Sequence, residues 1–225
     1  MSDFLLSIGI SLDGSFITFL IAITLLTMSP GVDTLVVIRN TLRGGFRDGV
    51  VTSFAICLGL FVHAAISAGG ISLILLQSAY LFSALKLVGA LYLIWLGYKS
   101  LSSAMARNQS SALVKVLEES TSEARVSVWK SFREGFLSNV LNPKTIVFYM
   151  AFLPQFIQPE EPAMIKSLFL AGVHFAIANA WQLLIVLMVG RASVWLLKGS
   201  VMRVIDGVIG GVMVAFGLRL AFDRS

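Results

Sequence analysis

Six stretches of the chain are each long and apolar enough to cross the hydrocarbon core of a bilayer as a helix: approximately residues 15–38, 50–70, 81–98, 135–156, 167–190 and 204–220. A crossing needs about 20 apolar residues. With no water in lipid, each backbone polar group must also find its partner inside the segment, which makes every such stretch helical. The expected fold class is an all-α membrane protein of six transmembrane helices. The boundary between the second and third stretches rests on Gly69-Gly70, because residues 71–80 are apolar too. Composition agrees: 57% of residues are hydrophobic and 13% charged, with a mean hydropathy of +0.88, too apolar for a soluble domain.

The net charge of +5 does not point to nucleic acid, because the bases lie in short segments between apolar runs, where they orient a chain in a bilayer. Connections after the first, third and fifth stretches carry Arg39, Arg43, Arg47, Lys99, Arg107, Lys115, Arg125, Lys130, Arg133, Arg191, Lys198 and Arg203, against Lys86, Lys166, Arg219 and Arg224 on the other side. The positive-inside rule then places the first group in the cytoplasm and both termini outside. The N-terminus carries Asp3 and Asp13 where a cleavable leader would be basic. Residues 102–131 read as a cytoplasmic linker, with a short surface helix expected near 113–117.

That linker separates two units, 1–101 and 132–225, which match one another in order. Ser29-Pro30-Gly31 corresponds to Asn142-Pro143-Lys144, His63 to His174, and Gly97-Tyr98-Lys99 to Gly217-Leu218-Arg219, with Ala90 opposite Gly210. Three crossings lie between the members of each pair, so the halves run in opposite directions, the inverted 3+3 repeat of many secondary transporters.

Each matched proline follows a residue able to cap a helix, Ser29 or Asn142. Proline suits the first position after such a cap, so the first and fourth spans are expected to break into half-helices near mid-membrane. Their positive N-terminal ends would converge on one cavity, a seat for a carboxylate. Asp33 and Lys144 flank the breaks. Charge at this depth costs about 2.5–3.5 kcal/mol on insertion scales and faces a partner or a water-filled path. Either the two form a static ion pair, or Asp33 receives a substrate ammonium or a coupling proton while Lys144 holds a carboxylate. The expected binding residues are therefore Ser29, Pro30, Gly31, Asp33, Asn142, Pro143 and Lys144. His63 and His174 are either a proton relay, with Asp33, or histidines satisfied by neighbouring helices. Asn139, Asn179 and Gln182 either line the cavity or join helices. The spacings Ala55 to Gly59, Ala65 to Gly69 and Gly207 to Gly211 suit close helix packing.

The sequence resembles the LysE/RhtB group of bacterial amino-acid exporters over nearly its whole length. The resemblance rests on Ser29-Pro30-Gly31-Val32-Asp33 with the basic glycine turn 43–49, on the third-span run 85–99, and on Phe132-Arg133-Glu134-Gly135-Phe136 followed by Asn142-Pro143-Lys144 and Phe152-Leu153-Pro154-Gln155-Phe156. It implies a multi-pass protein of the bacterial inner membrane that exports amino acids or close derivatives, driven by protons or membrane potential. Its partners would be a small-molecule substrate and the lipid bilayer, with a homodimer left open and no nucleic acid. One position departs from the family pattern, which has a second proline after the Pro-Gly pair where this chain has Val32.

Other classes fit less well. A thiol-disulfide relay needs a resolving thiol, and Cys57 is the single cysteine. A metal exporter would show clustered His, Cys or acidic ligands, which are scattered here. No catalytic serine set, His-Glu-x-x-His or phosphate loop is present, so neither an enzyme nor a cofactor is expected.

Overall fold

In a computed structural model the described residues are 14–29, 31–77, 79–105, 127–157, 161–189 and 199–222. Among them lie eight α-helices and a 3-10 turn, and no strand. We number the helices α1 Gly14–Met28, α2 Val32–Gly44, α3 Phe46–Gln77, α4 Ala79–Met105, α5 Val128–Val140, α6 Pro143–Ala151, α7 Ala163–Val189 and α8 Gly199–Phe222, with the 3-10 turn at Leu153–Phe156. By length and composition the 46–70 part of α3 and the whole of α7 can each cross a membrane, and α1 with α2, bent by 51°, makes a third candidate.

Several expected boundaries move. Gly69-Gly70 does not interrupt α3, which continues to Gln77, because glycine lowers helix stability without removing a hydrogen bond. α2 runs past Ile38 to Gly44, and α4 past Tyr98 to Met105. The edges of the expected linker are thus helical, while the expected helix near 113–117 lies outside the described residues. At the α2–α3 corner Gly45 takes a φ of 78°, a left-handed conformation that favours glycine.

The core is aromatic and central. Phe19, Ile23, Leu60, Phe148, Tyr149, Leu153 and Leu170 are all buried, with Phe19 edge-on to Phe156 at 5.2 Å and Phe148 against Phe152 at 4.8 Å. Large apolar side chains also face outward, among them Ile17, Phe54, Leu91, Leu187 and Val208, as lipid contact requires. At one end of this bundle Glu134 of α5 binds Arg39 at 2.7 Å and Arg43 at 3.0 Å, both on α2, with Lys130 at 3.9 Å. Glu161 and the buried Lys166 pair at 2.7 Å beside the start of α7. Partial burial pushes the Glu134 carboxyl up, but the Arg43 hydrogen bond and the two arginine charges, with Asn40, outweigh it and hold it below its ordinary 4.5.

α4 and α8 pack on each other more closely than any side-chain layer would allow. A Cβ at Gly97 would come 2.7 Å from the Gly210 carbonyl, and one at Gly217 2.8 Å from that of Ala90. Such small-residue contacts let backbones approach in a setting where apolar burial favours lipid and protein alike. The expected Gly207 to Gly211 pair is not the contact: Gly211 faces open space and Gly207 only touches Ala104 at 4.0 Å. Gly69 likewise faces open space.

Candidate functional site

The site forms where the α1–α2 and α5–α6 breaks meet. Asn142 caps α6 as expected, its side chain accepting a hydrogen bond from the Lys144 N–H at 3.0 Å, with Pro143 in the first turn. Ser29 does not cap α2. The cap there is Gly31, in extended backbone and without a side-chain bond, and the first helical bond runs from the Leu35 N–H to the Gly31 carbonyl at 3.1 Å. Pro30 lies outside the described residues.

The two charges take up opposite poles of the α1–α2 break. Lys144 donates from Nζ to the carbonyls of Leu26 at 2.8 Å and Ser29 at 2.9 Å. The last carbonyls of a helix have no partner inside it and carry the negative end of its dipole, so the ammonium caps α1. Asp33 sits in the first turn of α2, at that helix's positive end. Its carboxylate accepts from Ser138 Oγ at 2.6 Å, Asn139 Nδ2 at 2.9 Å and Asn142 Nδ2 at 3.1 Å. The breaks are adjacent: a Cβ on Gly31 would lie 3.9 Å from Lys144 Nζ.

Between these groups is a cavity of about 50 Å³, room for a few water molecules. Asp33, Lys144, Ser29, Gly31, Asn142 and His174 all line it. Asn139 and Gln182 line it too, and each keeps a buried side-chain oxygen without a hydrogen-bond partner. An unsatisfied buried acceptor costs about 1–3 kcal/mol; the Asn139 oxygen is packed against Gly59, where an added Cβ would lie 2.5 Å from it. No cluster of His, Cys, Asp or Glu able to hold a metal occurs among the described residues.

Neither histidine stands alone. His63 Nε2 lies 3.1 Å from the Asn139 carbonyl, and His174 shares hydrogen bonds of 3.1 Å with both Thr27 Oγ1 and Tyr149 Oη. Tyr149 is buried between the two imidazoles, 5.7 Å from one ring and 5.8 Å from the other. Asn179 accepts from Ser53 Oγ at 3.1 Å and so joins α7 to α3. Sequence reasoning missed Ser138, Thr27 and Tyr149. Ser138, Asn139 and Asn142 fall on one helical face ahead of the proline, and a polar face inside an apolar span was the available sign.

A sequence model of the family described as LysE type translocator matches residues 24–224. The chain belongs to this family. Among curated relatives, the translocator is 30% identical to the uncharacterized membrane protein YrhP of Bacillus subtilis, over 91% of this chain and 97% of that one. It is 27% identical to a homoserine/homoserine lactone efflux protein of Salmonella typhimurium, over 92% and 95% of the two chains. It is 25% identical to a leucine efflux protein of Salmonella choleraesuis, again over 92% and 95%. No solved structure matches the translocator.

Proposed function

We propose that this translocator is a secondary transporter that carries amino acids or close derivatives out of the cytoplasm by alternating access. The observation that carries the reading is the placement of its two charges: Lys144 and Asp33 line one small cavity, and each bonds to the opposite half at matched positions. If Ser29 is the counterpart of Asn142, then Leu26 is that of Asn139. Lys144 bonds to Leu26 and Ser29, and Asp33 to Asn139 and Asn142. Two more exchanges agree. His63 meets the turn before the α5–α6 break and His174 the turn before the α1–α2 break. The contacts of Gly97 with Gly210 and of Gly217 with Ala90 interconvert when matched residues are swapped. These correspondences support six spans in two inverted repeats, 1–101 and 132–225; the bias of basic residues supports a cytoplasmic linker and both termini outside, in the bacterial inner membrane.

An amino-acid zwitterion complements such a cavity. Its carboxylate suits the Lys144 ammonium, and its ammonium suits Asp33. The hydrogen bonds that now satisfy both charges are exchanged for bonds to the cargo, which avoids leaving a bare charge in the membrane. Rocking one repeat against the other would then open the cavity to each side in turn. Asp33, with His63 and His174 nearby, is the group placed to take a coupling proton, and the membrane potential is the alternative drive. The relatives named for homoserine and leucine efflux support the cargo class.

The test is amino-acid profiling of the medium around dipeptide-loaded cells that overproduce the protein or its Asp33→Asn variant. External accumulation of one or a few amino acids, reduced at least about tenfold in the variant, is expected. Accumulation at the wild-type rate with normal variant levels in the membrane would remove Asp33 from the mechanism.

A further inference from the structure

A second, larger cavity of about 270 Å³ opens beside the first, between α4 and the two breaks. Ser29, Gly31, Asn142 and Lys144 line both, so the two are adjacent. Their characters differ. The small cavity holds both charges and several amide and hydroxyl groups, whereas the large one has an apolar wall of Val32, Tyr92, Trp95, Leu96 and Pro143. Tyr92 is tethered there by a hydrogen bond from its hydroxyl to the Pro143 carbonyl at 3.2 Å. Lys99 lies over the Trp95 ring, 5.2 Å from its centroid, and also lines the cavity. Among the described residues lining it there are two lysines, Lys99 and Lys144, and no acid.

We propose that this cavity is the side-chain subsite of the transporter, and that it selects amino acids with a neutral apolar side chain of roughly leucine to phenylalanine size while rejecting cationic ones. The inference rests on the exporter reading above. With the zwitterionic head held between Asp33 and Lys144, the shared rim at Ser29, Gly31 and Asn142 leaves the side chain only the larger space. Aromatic and aliphatic walls with a few polar groups at one edge are the usual lining of a small-molecule pocket. The combined volume lies just above the lower end of such pockets, about 300 Å³. A side-chain ammonium or guanidinium there would meet the charges of Lys99 and Lys144 and no acid among the described lining residues, a repulsive element of the kind that sets specificity alongside favourable contacts. Val32 faces this space directly, which gives a physical role to the position that departs from the family pattern.

The experiment is counterflow in proteoliposomes of the purified full-length chain, with labelled alanine, leucine, phenylalanine and lysine. Wild type is expected to exchange leucine and phenylalanine at least about tenfold faster than lysine. Trp95→Ala removes apolar surface and Val32→Phe fills the space, so each lowers the leucine-to-alanine rate ratio by about tenfold, through opposite changes in volume. Lys99→Glu raises the lysine-to-leucine ratio by a similar factor. Rate ratios that stay at wild-type values in all three variants, or lysine exchanged as fast as leucine by wild type, would overturn the subsite and leave the exporter standing. Exchange of none of the four by wild type would overturn the exporter reading itself.

Discussion

At the break between α5 and α6 the chain caps its own helix, with the Asn142 side chain on the Lys144 N–H and Pro143 fixed in the first turn. At the break between α1 and α2 no described side chain of the break does this. Gly31 brings no side chain to cap α2, and the open carbonyls at the end of α1 are satisfied by Lys144 from the other half of the molecule. One interruption is therefore self-sufficient and the other depends on its neighbour. The dependence carries a functional consequence. A movement that draws α6 away from both α1 and α2 removes the cap from α1 and the Asn142 bond from Asp33 together.

Three substitutions and one titration can break or sharpen this contrast. Lys144→Met should have the largest effect, because it leaves the Leu26 and Ser29 carbonyls without their cap. A loss of about 2 kcal/mol is expected, read as a fall in apparent Tm of roughly 4–8 °C in detergent. An unchanged Tm would mean that α1 does not need the ammonium. Asn142→Ala removes a helix cap worth about 1 kcal/mol and one donor from Asp33, so its shift should be about half as large. Ser29→Ala should fall within about 0.5 kcal/mol of wild type, since only the Ser29 carbonyl contributes to the break. A larger loss would restore its hydroxyl as a cap.

The smallest effect concerns the far end of the bundle, where Glu134 ties α5 to α2. Its folded pKa lies below the ordinary 4.5, so the unfolded chain takes up the proton first as pH falls. The stabilisation is complete above 4.5 and is lost as pH drops through the lower folded value. Glu134→Gln should flatten the acid limb of a Tm-against-pH curve below pH 4.5 and leave its pH dependence above about 6 unchanged. An identical acid limb in the variant would exclude the ion-pair cluster as the source.

The contrast between the breaks also separates what could be read from residues from what could not. Asn142-Pro143 declared a helix start because cap and proline act within one turn, and the structure keeps it. Ser29-Pro30 carried the same pattern, yet the helix begins two residues further on, at Val32. The Gly69-Gly70 pair looked like a boundary and lies inside a continuous helix. Asp33 and Lys144 stood out because charge in an apolar span is costly, but their partners, Ser138 and Asn139 for one and two main-chain carbonyls for the other, come from residues about 105–118 positions away.

The sequence by itself determined the membrane class, the all-helical content, the interruption near Pro143 and the few ionisable groups inside apolar runs. Each of these follows from local length, hydropathy and backbone chemistry in lipid. Only the tertiary structure decided that the two charges sit on the two sides of one helix break, that Tyr149 lies between the histidines, and that a larger, more apolar cavity lies beside the smaller one. Those outcomes depend on contacts between distant segments, which local propensity does not encode because capping groups and cavity walls are chosen by packing after the helices have formed.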